Sequence, residues 1–209
     1  MNPVDNDGRV RRLAIGGIVG PVAFVSAWAL GAFVNDRDLS AVDDAISQLA
    51  HVDANTRWLM SAGFVTFGLG VAMFATATRS LLGTATTCAL GATAVSTLSV
   101  AALPLGASPV VDRLHGVAAG LGYVTLAVAP IAARSSLRHL GHVRLARVGV
   151  ISSVVAAFSL VTSLTSAPTG LLQRLGLTAV DLWIVAVAYV TVRGRLGDQA
   201  QLSGTRSER

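Results

Sequence analysis

The sequence predicts an all-α polytopic membrane bundle of six transmembrane helices, with both termini cytoplasmic and a short amphipathic helix in the first outer loop. Three observations carry that prediction. Hydrophobic residues make up 53% of the 209 positions and charged residues only 13%, about half the share usual in soluble domains, ~25%. Uncharged apolar runs of about 20 residues, the length that spans a bilayer, recur along the whole chain. The 16 basic residues are all arginine and cluster between alternate runs.

The predicted spans are Leu13–Val34, Trp58–Thr78, Leu82–Leu103, Leu114–Ala133, Leu145–Ala167 and Leu171–Val192. They form a transmembrane domain over residues 13–193, between polar tails at 1–12 and 194–209. The first run follows "RVRR" but is too long for a signal-peptide core, and five more follow it. Twelve arginines (Arg9, Arg11, Arg12, Arg79, Arg134, Arg138, Arg144, Arg147, Arg193, Arg195, Arg206 and Arg209) fall on one side, and four (Arg37, Arg57, Arg113 and Arg174) on the other. The arginine-rich side is cytoplasmic by the positive-inside rule. Asp36, Asp38, Asp43, Asp44, Asp53 and Asp112 then lie outside.

Within the spans, "GGIVG" (Gly16, Gly20) and "GVAAG" (Gly116, Gly120) have the four-residue spacing that lets helix backbones approach closely in lipid. Pro21 and Pro130 are candidate kinks. In the first outer loop, "SAVDDAISQLAH" opens with Ser40 and Asp43 in capping-box spacing. Val42, Ile46 and Leu49 follow on one helical face, which predicts an amphipathic helix over the outer mouth. Asp43 is then a cap, while Asp44 is free to serve a site.

The polar residues at membrane depth are the candidate functional groups. Arg174 stands in the first turn of the last span, where the helix's own field disfavours a cation; its partner is a lipid phosphate, Asp112, Asp44 or a bound anion. Asp181 lies seven residues on, about 10 Å deeper along the same face. A carboxylate there must be paired, hydrated or protonated, and is a functional candidate by default. Its structural alternative is a hydrogen bond to Thr93 or Ser96. Asp112 is read as the N-cap of the fourth span, which puts His115 in its first turn, with Tyr123 deeper on the same face.

His51, Asp53, Asp112 and His115 lack metal-site spacing. The lone cysteine, Cys88, permits no internal disulfide. No P-loop, dinucleotide fingerprint or nucleophile elbow is present, so no cofactor is expected. The dispersed arginines point to lipid headgroups rather than nucleic acid.

The order of several segments resembles that of bacterial six-span membrane proteins grouped as domain-of-unknown-function family 998. The shared pattern covers about Leu13 to Arg193. It comprises the glycine-rich first span with Pro21, "AISQLA", "RWLMSAGFVTFGLG", His115 at the start of the fourth span, and "GLLQR" followed by Trp183. The resemblance implies an all-helical integral membrane fold without a settled activity and assigns no role to Asp181.

Asp44, Arg57, Asp112, His115, Gln173 and Arg174 converge near the outer boundary with Asp181 below them. They predict an outward-facing cavity for an amphipathic or lipid-like molecule, its head on Arg174 and His115 and its tail between helices, with Tyr123 deeper. Three functions fit. The first is lipid binding, sensing or assembly. The second is a membrane-embedded enzyme on an isoprenoid or lipid, by analogy with membrane terpene cyclases, with Asp181 as acid and His115 as base. The third is a small-solute or proton-coupled transporter. Membrane lipids are the expected partners.

Overall fold

The computed structural model describes residues 3–163, 165, 168–194 and 196. Its helices are α1 (Pro3–Ala14), α2 (Gly16–Val34), α3 (Arg57–Ala102), α4 (Pro109–His139), α5 (Val143–Ser163) and α6 (Thr169–Val192), with a 3₁₀ turn at Ile46–Ala50. Five stretches are long and apolar enough to cross a membrane: Asp7–Val34, Arg57–Ala102, Pro109–His139, Val143–Ser163 and Thr169–Val192. Their outward faces carry exposed side chains such as Phe33, Val95, Val117, Phe158, Val161 and Leu182. Apolar surface of that extent belongs against lipid.

The longest of these, α3, has 46 residues. A straight helix of that length would measure about 69 Å, over twice the ~30 Å hydrocarbon core of a bilayer. Gly83 breaks it with φ 82° and ψ 169°, a conformation glycine adopts without a side-chain penalty. The arms on either side fold back on each other. A Cβ on Gly68 would lie 2.8 Å from Leu98 and 3.1 Å from the carbonyl of Ala94, yet Gly68 and Leu98 stand equally far from Gly83 in opposite directions. Ser136 Oγ and Thr86 Oγ1 donate to the Leu82 carbonyl at the break, at 3.2 and 3.0 Å. The predicted spans Trp58–Thr78 and Leu82–Leu103 fall on the two arms of this hairpin.

Glycine sets the closest helix contact. A Cβ at Gly16 would sit 2.6 Å from the Gly70 carbonyl, and one at Gly70 would sit 2.9 Å from Gly20 Cα, so α2 and the first arm of α3 touch backbone to backbone. The second glycine pair behaves otherwise: no atom lies within 4 Å of the Cβ positions of Gly116 or Gly120. On the far side of the bundle Trp183 is fully buried. Its indole donates to the Leu145 carbonyl at 3.1 Å and fills the space left by Gly149.

Several local expectations change. Most of the predicted N-terminal tail, from Pro3, is helical as α1. The N-cap of α4 is Ser108, whose side chain accepts from Val111 N at 3.2 Å ahead of Pro109 at the first helical position. Serine followed by proline is a strong helix start, and it displaces Asp112 into the first turn and His115 into the second. Residues 41–44 of the outer loop form a turn, and the helical part is limited to the five-residue 3₁₀ segment. Ser40 Oγ does accept from Asp43 N at 3.1 Å, so the cap forms without the α-helix. Ile46 and Leu49 are buried as expected, but Val42 is 48% exposed. The predicted fifth span runs past Ser163 to residues 164, 166 and 167, which lie outside the described residues, as does nearly all of the predicted C-terminal tail.

Candidate functional site

Helix α6 begins without a side-chain cap, leaving its first N–H groups in need of partners. The outer loop supplies one. Leu171 N donates to the Val42 carbonyl at 2.8 Å. The next turn binds the loop in return: Gln173 Oε1 accepts from Ile46 N at 2.8 Å, and Arg174 Nη1 donates to the Asp44 carbonyl at 3.0 Å. The approach depends on Gly170, where a Cβ would collide with the Asp44 carbonyl and stand 2.9 Å from that of Ala41. The Arg174 guanidinium also lies 5.5 Å from the Trp28 ring centroid, close enough for a cation–π contact. Its cation is therefore held by a backbone dipole and an aromatic face. The Asp44 carboxylate turns back to accept from Ser40 N at 2.8 Å.

About two turns below this clamp, at Asp181, the environment reverses. A cavity of about 70 Å³, on a scale where one water needs ~10–15 Å³, lies among α2, both arms of α3, α4 and α6. Phe24, Phe64 and Phe67 form an aromatic wall, the Phe24 ring 5.6 and 5.2 Å from the other two. Ile46, Ser47 and Gln173 cover it from the loop side, and Thr93, Thr97, Tyr123, Leu177 and Asp181 complete the lining. Thr93 and Thr97 donate to the Ala89 and Thr93 carbonyls of their own helix at 3.0 and 2.9 Å.

Asp181 is 2% exposed, and neither carboxylate oxygen has a hydrogen-bond partner among the described residues. The Tyr123 hydroxyl, packed against Gly176 with the Ser159 side chain as its polar neighbour, is likewise buried and makes no well-formed hydrogen bond. The anticipated bond from Asp181 to Thr93 is not made; Thr93 pairs instead with Thr125 at 2.9 Å. Buried polar groups in folded proteins are nearly always satisfied. Two such exceptions lining one chamber mark it as the candidate site.

The structure brings together Asp181, Tyr123 and Gln173. It separates the other candidates from them. His115 is buried with Nδ1 2.7 Å from the Leu103 carbonyl and Nε2 unpartnered, tying the end of α3 to α4 outside the cavity lining. Asp112 Oδ1 accepts from Gly106 N at 2.8 Å. Arg57 covers the ring of Trp58 at 4.9 Å. Arg174 and Asp44 form the clamp above. Sequence reasoning missed the phenylalanine wall, whose only signal is the three-residue spacing of Phe64 and Phe67. Among the described residues no cluster of three His, Cys, Asp or Glu is placed to hold a metal.

Fold and site together define a membrane-embedded helical protein with a small chamber, apolar in its walls and acidic at its base. A family model described as a protein of unknown function (DUF998) matches residues 18–190, and the chain belongs to that family. No curated protein and no solved structure matches it. Any assignment of function therefore rests on the chamber itself.

Proposed function

We propose that this is a cell-membrane protein that crosses six times, with both termini cytoplasmic, and binds the polar end of an amphipathic or lipid-like molecule in the Asp181 chamber. Six crossings follow if each arm of the α3 hairpin spans the bilayer. The orientation rests on the arginine count in the sequence, twelve in the segments assigned to the cytoplasmic side against four in those assigned to the outside.

One observation carries the binding reading: a buried carboxylate without a partner beside a phenol without a well-formed hydrogen bond. Leaving such groups unpaired costs about 1–3 kcal/mol each, which a bound donor would recover. A ligand hydroxyl or ammonium group can donate to Asp181 while Tyr123 donates to, or accepts from, the same head. The chamber's size suits a small head group rather than a whole lipid, so the remaining hydrocarbon lies outside it, between helices.

The aromatic wall supports a second reading. Three phenylalanine faces around an acid would stabilise a carbocation formed by protonating an isoprenoid double bond. His115, outside the lining, is not placed to return the proton as base, which weakens this alternative.

The test is to purify the protein in mild detergent and identify bound small molecules by mass spectrometry, alongside Asp181→Asn and Tyr123→Phe. Near-stoichiometric occupancy by one amphiphile, falling at least ten-fold in Asp181→Asn while the protein remains monodisperse, is expected. A wild-type protein that purifies empty, or an Asn variant equally loaded, overturns the reading. Recovery of a chemically altered isoprenoid after incubation shifts it to the enzyme. Topology is tested separately in a Cys88→Ser background. A membrane-impermeant maleimide should label Asp43→Cys but not Arg138→Cys on intact cells, and the reverse pattern refutes the orientation.

A further inference from the structure

At the elbow end, where Gly83 turns the α3 hairpin, α4 finishes and α5 starts across a single tight connection; a cleft of about 250 Å³ lies between their facing turns, and a more open one of about 430 Å³ adjoins it on α4. Arg134 and Arg138 line both; Ser135 and His139 complete one, and Val143, Ala146 and Arg147 the other. Among the described residues no hydrogen bond or ion pair engages the side chain of Arg134, Arg138 or Arg147, and no acidic residue lines either cleft.

Ordinary helix electrostatics accounts for only part of this. Arg138 and His139 in the last turn of α4 complement its negative end. Arg134 lies a turn further in. Arg147 stands near the start of α5, where the helix field opposes a cation, and Arg138 faces it from α4. Three exposed guanidiniums therefore line adjoining clefts with no acidic partner among the described residues, a setting that favours an anion.

What lies beside the clefts selects the kind of anion. Going from the arginines towards the middle of the bundle, α4 presents Ile131, which is 52% exposed and seven residues before Arg138, and α5 presents Ile151, which is 63% exposed and four residues after Arg147. A soluble phosphate has no use for that surface. A phospholipid does, because its headgroup and acyl chains have the same polar-to-apolar order. Guanidinium groups bind phosphate oxygens through paired N–H donors.

We propose that the α4–α5 groove is a binding site for an anionic phospholipid, its phosphate held by Arg134, Arg138 and Arg147 and its acyl chains lying on Ile131 and Ile151. This site is separate from the Asp181 chamber and independent of the function proposed for it. In the orientation given above the lipid belongs to the cytoplasmic leaflet, where anionic headgroups meet basic pockets between helices.

Native mass spectrometry of the full chain, titrated with phosphatidylglycerol or phosphatidylcholine of identical acyl chains, tests the assignment. The wild type should retain phosphatidylglycerol at least five-fold better, and the triple variant Arg134→Gln, Arg138→Gln, Arg147→Gln should bind both lipids within two-fold. Replacing the same three residues by lysine should keep a preference of at least two-fold, which separates charge recognition from damage to the fold. Arg79→Gln, at the same end but outside the clefts, should leave the preference intact. Equal retention of both lipids by the wild type, or an unchanged preference in the triple glutamine variant, overturns the proposal. Glycerol phosphate should fail to compete at equal concentration; if it displaces the lipid, the site is one for a soluble phosphate and the lipid assignment is wrong.

Discussion

Arg174 and Asp181 occupy one face of one helix, seven residues apart, and meet opposite fates. The guanidinium at the rim is engaged by the Asp44 carbonyl and the Trp28 ring. The carboxylate below it touches no donor among the described residues. The same helix thus uses one charge to fasten a loop and leaves the other facing an open space. Satisfied polar groups in a membrane protein build structure; unsatisfied ones, held in place by the fold around them, are available to a ligand.

That contrast is broken most severely at the rim. Gly170→Val places branched carbon against the Asp44 and Ala41 carbonyls and should destabilise the protein by about 3 kcal/mol, the top of the usual overpacking range. The effect is read as a lowered thermal transition in detergent. Arg174→Ala removes the donor to the Asp44 carbonyl and should cost about 2 kcal/mol, with protease cleavage of the 36–56 loop as a second readout. The floor should respond with the opposite sign. Asp181→Leu replaces an unpaired buried acid with hydrocarbon and should raise stability by about 1 kcal/mol while abolishing ligand retention, the trade expected of a site kept for function. A clear loss of stability there would mean that the carboxylate serves the fold. Tyr123→Phe is the smallest change. Its hydroxyl has no well-formed hydrogen bond to lose, only the neighbouring Ser159, so stability should stay within ~0.5 kcal/mol and only ligand occupancy should fall.

How much of this could be read from the sequence differs between rim and floor. Apolar length revealed the helical stretches, and an acid inside one of them had to be buried. The partner of Arg174 was hidden, because it is a main-chain carbonyl 130 residues away and a carbonyl leaves no mark in the sequence. The pairing of His115 with Tyr123 failed for a geometric reason. Eight residues advance an α-helix about 80° past two full turns, enough for Tyr123 to face the chamber while His115 faces the Leu103 carbonyl. Asp112 was mistaken for a cap although "SP" at Ser108 and Pro109 carries the stronger signal. The phenylalanine wall draws on two helical segments, α2 and the first arm of α3, and exists only once they meet.

The seating of the outer loop on α6 has a consequence for how the protein is made. Residues 41–46 leave the ribosome well before their receptor does: Gln173 follows Ile46 by 127 positions. At ~5–20 residues per second that delay is on the order of ten seconds, during which the amide of Ile46 and the carbonyl of Asp44 have only water or headgroups to bind. Arrival of the final helix closes the chamber and shelters the loop in a single event. A chain stalled before Thr169 therefore carries an undocked segment on its surface, and a protease stationed there can tell an unfinished copy from a complete one.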